Sequence, residues 1–378
     1  MTQPTVFVAM SGGVDSSVAA YLLKEAGHSV AGLHMDLWCE EKQGKAAQTR
    51  TCCSLDDARD AETVCKALHI PFYVLNLRDE FQKHVVEPFC REYGIGRTPN
   101  PCLSCNEHIK FGLLLQKCLA LGGEYLATGH YARIREDAGR YHLLKGSDPS
   151  KDQSYFLYML GQQELRHVLF PVGNMTKTQV RRMAEDAGLP VAEKRESMDI
   201  CFVPDGDYRP FVAARMPQSP GDIVDAAGKV VGRHDGLAGY TIGQRSGISS
   251  GGGRRTYVVD IDAHNNRLII GDERELYSSA LVARDVHWVS GEPPASNILV
   301  AARIRYRAAA IVAALWTERD YVRVSFAEPQ RAITPGQAVV FYAGEDVLGG
   351  AIIDRVERHA QMPSANDAGR ATAAGERL

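Results

Sequence analysis

The chain is 378 residues long, 45% hydrophobic and 24% charged, with a formal net charge of −3. That length can bury the cores of two or three domains, and the composition is that of an ordinary globular protein rather than a disordered or collagen-like one. No apolar stretch approaches a membrane span, Met1-Thr-Gln-Pro4 carries no basic-then-apolar leader, and the balanced charge confines any nucleic-acid contact to local patches, so a cytoplasmic chain with no membrane partner is expected.

An apolar run from Thr5 to Met10 predicts a strand, and Ser11-Gly-Gly-Val-Asp-Ser-Ser17 leads from it into a helix over Val18 to Leu23. Two adjacent glycines let the backbone turn tightly, so that successive N–H groups converge on an anion, and the helix start adds unpaired donors and the positive end of a dipole. Ser11, Ser16 and Ser17 would supply hydroxyls. The Walker pattern and its lysine are absent. Asp15 would repel a phosphate if left alone, so it either helps hold Mg²⁺ or braces the loop. Ser29 to Leu37, Phe72 to Leu75 and Glu124 to Thr128 read as further strands, with helices over Asp56 to Leu68, Glu80 to Tyr93 and Ile109 to Leu121 between them. Alternation of this kind predicts a doubly wound parallel α/β sheet with ligands at the carboxyl ends of its strands, where Gly12, Met35 and Gly129 fall.

Thr98-Pro-Asn-Pro-Cys-Leu-Ser-Cys-Asn106 lies between two helices, and its prolines are expected to keep it out of either. Tyr141 to Leu144 reads as half of a hairpin. Thr176 to Gly188 reads as a helix with Thr176 as N-cap and Gly188 in the left-handed position past its end. From 204 to 285 the chain is rich in Gly and Pro with short β runs at Tyr257 to Ile261 and Arg267 to Ile270, which predicts a small, mainly β linking domain. Alternating runs at Ile298 to Tyr306, Tyr321 to Phe326 and Ala338 to Tyr342 predict a C-terminal antiparallel barrel over 286–357. The first, doubly wound domain would span 1–203, and the aperiodic tail 358–378 is expected to be disordered.

All nine cysteines (39, 52, 53, 65, 90, 102, 105, 118 and 201) lie in the first 201 residues, an odd set that predicts buried thiols plus a few reactive ones rather than a disulfide framework. Cys102 and Cys105 form a C-x-x-C, and Cys201 sits in the short run Ser197-Met-Asp-Ile-Cys-Phe202. Arg303-Ile-Arg-Tyr-Arg307 alternates, which would put three arginines on one strand face with Tyr306 opposite, suited to phosphate contact and stacking on RNA.

The Ser11 to Ser17 loop resembles that of the PP-loop ATP pyrophosphatases, which cleave ATP between its α and β phosphates. Thr98-Pro-Asn-Pro101 with Cys105-Asn106 and Ile109-Lys-Phe111, Ala127-Thr-Gly-His-Tyr-Ala132, Lys151-Asp-Gln-Ser-Tyr-Phe-Leu157, Ser197 to Phe202, Gly243-Gln244, Arg305-Tyr-Arg307 and Pro335-Gly-Gln337 are similar, in that order, to motifs of the bacterial tRNA-specific 2-thiouridylase family. The resemblance runs from Val6 to about Ile353. It implies an ATP-dependent enzyme that puts sulfur on C2 of the wobble uridine (position 34) of the tRNAs for Lys, Glu and Gln, fed by a cysteine desulfurase or sulfur relay protein.

It also implies ATP with Mg²⁺ on Ala9, Met10, Ser11, Gly12, Gly13, Val14, Asp15, Ser16, Met35 and Gly129, with Met35 on the adenine. Asn100, Pro101, Cys102, His130, Lys151, Asp152, Gln153, Arg305, Tyr306 and Gln337 would contact tRNA. Cys201 would carry a persulfide and Cys105 act as nucleophile, either closing a Cys105–Cys201 disulfide or attacking the activated base. The family often has Asp where this chain has Cys102. Cys102, Cys105 and Cys201 together also suit three-point ligation of a [4Fe–4S] cluster, so persulfide and cluster routes both stand, with zinc on these thiolates a weaker option. Another PP-loop AMP-forming ligase, or a non-enzymatic RNA-binding iron–sulfur protein, are the rival readings.

Overall fold

The structure, a computed structural model, describes residues 5–38, 55–194, 200–203, 206–245, 247, 255–294 and 297–357. Cys39, Cys52, Cys53, Ser197 to Asp199 and the tail 358–378 lie outside the described residues. The chain forms two units, one from the described residues of 1–87, 101–207 and 345–347, the other from those of 88–100, 208–344 and 348–378.

The first unit is built on strands β1 (Thr5–Ala9), β2 (Ser29–Asp36), β3 (Phe72–Asn76), β4 (Tyr125–Ala127) and β7 (Val168–Leu169), in the parallel order β3-β2-β1-β4-β7. Successive side chains of a strand point to opposite faces. Val6, Val8 and Met10 accordingly pack into one buried cluster with α1 (Val14–Glu25), α2 (Leu55–Ala67) and α3 (Lys177–Asp186), while Phe7 turns the other way, where its ring and Cys118 of the helical run 101–120 both border Gly123. The chain leaves β1 for β2 on one side, and β4 pairs on the other, in registers Thr5↔Ser29 and Val6↔Tyr125. The carboxyl end of β1 is therefore a topological switch point, where such sheets bind ligands. Helix α3 has the expected caps: Thr176 accepts from the Gln179 N–H, Gln179 reaches back, and Gly188 has φ 62°. Tyr141 belongs to a hairpin of β5 (Ala132–Asp137) and β6 (Arg140–Lys145), turned through Ala138 and Gly139 at positive φ.

In the second unit, β8 (Gly221–Asp225), β9 (Val230–His234), β10 (Tyr257–Asp262) and β11 (Arg267–Gly271) form a small mixed sheet, ordered β10-β11-β8-β9. Six further strands, β12 (Tyr277–Trp288), β13 (Ile298–Arg303), β14 (Ile311–Thr317), β15 (Val322–Arg331), β16 (Ala338–Ala343) and β17 (Asp346–Glu357), run β12-β15-β14-β13-β16-β17 and close through β12–β17 pairing. Closure pairs the two outer strands of the six, β12 and β17, with each other. Leu281, Val300, Leu315, Val324, Phe341 and Ile353 fill the barrel.

Two sequence expectations fail locally. The segment before Asn106 does not stay out of helix: Pro101 opens the run 101–120, because a proline at the first helical position lacks only an N–H that no helix bond would use. The arginines of 303–307 do not share a strand face either. Strand β13 stops at Arg303, and the chain bends at 304–305 and turns at 306–307, with Ile304 buried and the Arg305 guanidinium bonded to the Ala332 carbonyl and Thr334 Oγ1.

Candidate nucleotide and thiol site

The loop after β1 is shaped by its own side chains. Ser16 Oγ accepts from the Ser11 N–H (3.2 Å) and donates to the Gly13 carbonyl (3.1 Å), to which Ser17 Oγ also donates (2.9 Å). Two of the three hydroxyls expected on phosphate thus hold the turn. Only Ser11 is exposed, while Ala9, Met10, Val14 and Ser16 are buried, so their contribution to a ligand would be main-chain. Gly12 is in the left-handed region at φ 71°, and a Cβ there would fall 2.3 Å from the Asp57 carbonyl oxygen. Gly13 is extended and caps α1, whose first-turn N–H groups lie at the positive end of the helix dipole, an arrangement that favours an anion.

Gly129, two residues past β4, has its missing side-chain space filled by the Ser16 and Asp15 backbone (2.6 and 2.7 Å) and the Asp15 Cβ (2.9 Å), so its smallness lets the chain after β4 close on the start of α1. Met35 is half-buried near the carboxyl end of β2, paired with Leu75.

Asp15 is not an open carboxylate. Lys177 Nζ donates to both of its oxygens (2.7 and 2.8 Å), and the Tyr131 hydroxyl donates to Oδ1 (2.7 Å). This is the bracing alternative rather than a presented metal ligand. A second lysine, Lys194, bonds Asp57 (2.7 Å) and Asp60 on α2; burial works against its charge, but the hydrogen bonds and charges of the two carboxylates outweigh it and raise its pKa. Sequence reasoning missed Lys177, Tyr131 and Lys194. A local signal existed for Lys177, since a cation in the first turn of α3 opposes the helix dipole and calls for an anionic partner elsewhere.

Cys105 begins a stretch of wider i→i+5 turns, Cys105–Leu114, a geometry frequent at functional sites. It is buried, Cys102 is exposed, and Cys201 is half-buried. Neighbouring Asn106 is buried and donates to the Phe156 carbonyl (2.8 Å), and Phe202, beside Cys201, packs between the rings of Trp38 and Phe81. Cys105 and Cys201 are thiols, so the anticipated disulfide is absent from this state. Among the described residues no three His, Cys, Asp or Glu side chains are grouped to hold a metal ion, so Cys102, Cys105 and Cys201 are not assembled here as cluster or zinc ligands.

Of the expected RNA contacts, Asn100, Lys151, Gln153, Tyr306, Arg305 and Gln337 are half-buried and Pro101 is buried. Asp152 is buried, its carboxylate accepting from the Gly146 and Ser154 N–H groups (both 3.1 Å). Gln153 pairs with both main-chain groups of Tyr131, and the Gln337 amide donates to the Thr98 carbonyl (2.7 Å). His130 sits against the Phe111 and Phe170 rings with Nδ1 2.7 Å from Thr128 Oγ1, and burial, then Lys110, pushes its pKa well below the usual histidine value. Among the described residues no helix is long and apolar enough to cross a membrane.

Residues 4–205 match the family model described as tRNA methyl transferase HUP domain, 209–272 the tRNA methyl transferase PRC-barrel domain, and 278–353 the aminomethyltransferase beta-barrel domain. The chain is 50% identical to the tRNA-specific 2-thiouridylase MnmA of Chloroflexus aggregans, across 93% of this chain and 99% of that one. It is 50% identical to the Geobacter metallireducens protein of the same description (92% and 96% covered) and 46% identical to that of Clostridium botulinum (94% and 99%). Among solved structures, the NMN synthetase of Francisella tularensis is 15% identical, with a TM-score of 0.31 over 52% of this chain and 67% of that one. On the strength of these relatives, similar over nearly their whole length, the chain belongs to the tRNA-specific 2-thiouridylase family.

Proposed function

We propose that this chain uses ATP to convert the wobble uridine of the tRNAs for Lys, Glu and Gln to 2-thiouridine. The observation that carries the reading is the loop at the switch point of the sheet, where Gly12 and the start of α1 form an anion cradle, in a member of this family. Main-chain groups from Ala9 to Ser16 would bind the pyrophosphate, with Met35 on the adenine and Gly129 closing the floor. Mg²⁺ would arrive as the counter-ion of ATP, since both Asp15 oxygens are already bonded.

The uracil C2 carbonyl has a poor leaving group. Attack of O2 on the α phosphorus releases pyrophosphate and turns that oxygen into part of AMP, which departs readily. A persulfide on Cys201 attacks C2 through its terminal sulfur and expels AMP. The Cys105 thiolate then attacks Cys201 Sγ, leaving sulfur on the base and a Cys105–Cys201 disulfide, which a thiol reductant reopens before a donor such as a cysteine desulfurase or sulfur relay protein reloads Cys201. Asn100, Pro101, Cys102, His130, Lys151, Asp152, Gln153, Arg305, Tyr306 and Gln337 are proposed to shape or line the tRNA path, with domains at 1–203, 204–285 and 286–357 and a cytoplasmic location.

The test is pyrophosphate release and 2-thiouridine yield, by mass spectrometry of nucleosides, with tRNA bearing an unmodified wobble uridine. Cys105→Ser and Cys201→Ser should each give no 2-thiouridine, and Cys102→Ser should retain appreciable yield. Full yield from Cys201→Ser would overturn the sulfur route.

A further inference from the structure

Strand β2 outruns β1 at the switch point of the sheet. Leu33 pairs with Ala9, the last residue of β1, and its carbonyl accepts from the Met10 N–H (2.7 Å). Asp36, three residues on, therefore stands about 10 Å farther along, at the edge where such sheets take ligands. Side chains of a strand alternate between faces, and Val30 packs in the same cluster as α1 and α2. Asp36 thus belongs to the face that carries α1, and Met35 to the opposite one.

The Asp36 carboxylate is held in place. Arg78 Nε donates to Oδ1 (2.9 Å) and Nη2 to Oδ2 (2.8 Å), a two-pronged grip. The Arg78 N–H in turn donates to Asn76 Oδ1 (3.1 Å), and the Leu77 N–H to the Asp36 carbonyl (3.0 Å). Asp36 is 28% exposed and Arg78 43%, and an ion pair that open adds little to a fold. What it provides is a fixed acceptor. Each carboxylate oxygen can accept two hydrogen bonds, the guanidinium fork uses one on each, and its charge offsets that of the carboxylate, so that a polyphosphate nearby is not repelled.

We propose that Asp36, braced by Arg78, is the ribose-recognising residue of the nucleotide site, accepting hydrogen bonds from the vicinal hydroxyls of the sugar. The proposal rests on the nucleotide reading of the loop after β1. A nucleotide with its phosphates at the start of α1 and its adenine on Met35 crosses the end of β2 from one face of the sheet to the other, and the sugar is the part that passes Asp36. A hydroxyl donates to a carboxylate where a C–H does not, so the site tells ribose from 2′-deoxyribose. A role limited to fastening β2 to the turn after β3 would weaken both nucleotides alike.

The experiment is equilibrium titration of the purified full chain with ATP and with 2′-deoxy-ATP, for the parent, Asp36→Ala and Asp36→Asn, with thermal melting alongside. The parent should bind ATP about 10-fold or more tighter than 2′-deoxy-ATP, the range of a hydrogen bond to a charged group. Asp36→Ala should erase that preference by weakening ATP, with 2′-deoxy-ATP staying within about 2-fold of its parental affinity. Asp36→Asn keeps the shape and loses the charge, so it should cut the preference to about 3-fold or less, and it carries the comparison if the Ala variant does not fold. Equal parental affinities for the two nucleotides, a preference that survives intact in the folded variants, or equal losses of both nucleotides would each overturn the proposal. A parent that binds neither nucleotide would instead remove the nucleotide reading beneath it.

Discussion

The loop cradle after β1 and the Arg305–Gln337 region of the barrel both use polar side chains to hold the protein's own backbone, but over very different reaches. In the cradle, Ser16 and Ser17 bond main-chain groups three to five residues away. In the barrel, Arg305 bonds groups 27 and 29 residues away, and Gln337 bonds a carbonyl 239 residues away. Using the cradle's hydroxyls locally shapes the loop and leaves main-chain N–H groups as its proposed donors to an anion. Arg305 and Gln337, by contrast, fasten the 332–337 turn and the 98 segment within their unit, which gives them a structural cost if removed.

The sharpest way to break this picture is at the two glycines. Gly12→Ala forces a Cβ against the Asp57 carbonyl at a left-handed φ, so it should cost about 1–3 kcal/mol of stability and displace the turn. Pyrophosphate release should then fall on the order of 100-fold, as expected when a binding loop shifts by an ångström. Gly13→Ala, at φ −97° with its nearest contact the Ser11 hydroxyl at 3.3 Å, should melt close to the parent. Equal destabilisation by the two would mean that the Gly12 dihedral does not set the loop.

The barrel side is sharpened by separating fastening from phosphate contact. Arg305→Met should lower stability by roughly 1–3 kcal/mol and Gln337→Ala by about 0.5–1.5 kcal/mol, read by denaturant titration. Both should leave the salt dependence of tRNA binding near that of the parent. An Arg305→Met protein of parental stability, whose log affinity against log salt has a slope lower by about one, would make Arg305 a phosphate contact instead.

Much of the first unit was legible because its signals are local. Thr176 with Gln179 and Gly188 mark both ends of α3, and the Ser11 to Ser17 string places the cradle after an apolar strand. Strand β7, only Val168–Leu169, is too short to show a period, and Pro101 carried a helix-breaking signal whose sign reverses at the first helical position. The arginine alternation at 303–307 has the period of a strand, but the strand ends where Arg305 finds acceptors near residue 333, information carried by tertiary contact alone. Lys177 and Asp15 are 162 residues apart, so nothing in either neighbourhood names the other. The Cys105 and Cys201 roles came from family resemblance, and the structure adds their burial and packing.

The smallest expected effect lies at His130, whose ring packs against Phe111 and Phe170 beside Thr128. Burial, then the nearby Lys110 charge, disfavours its protonated form. In the unfolded chain a histidine titrates near 6.5, roughly, while in the folded protein it titrates lower. Between those two values the unfolded chain binds more protons, so stability rises with pH across that window and is lost as pH falls below about 6.5. The melting temperature of the parent should therefore drop more steeply from pH 7.5 to pH 5.5 than that of His130→Gln, which has no proton to take up. Differencing the two removes the contribution of every other titrating group. Parallel curves would show that the ring accepts a proton in place, and that the aromatic setting of His130 does not hold it neutral.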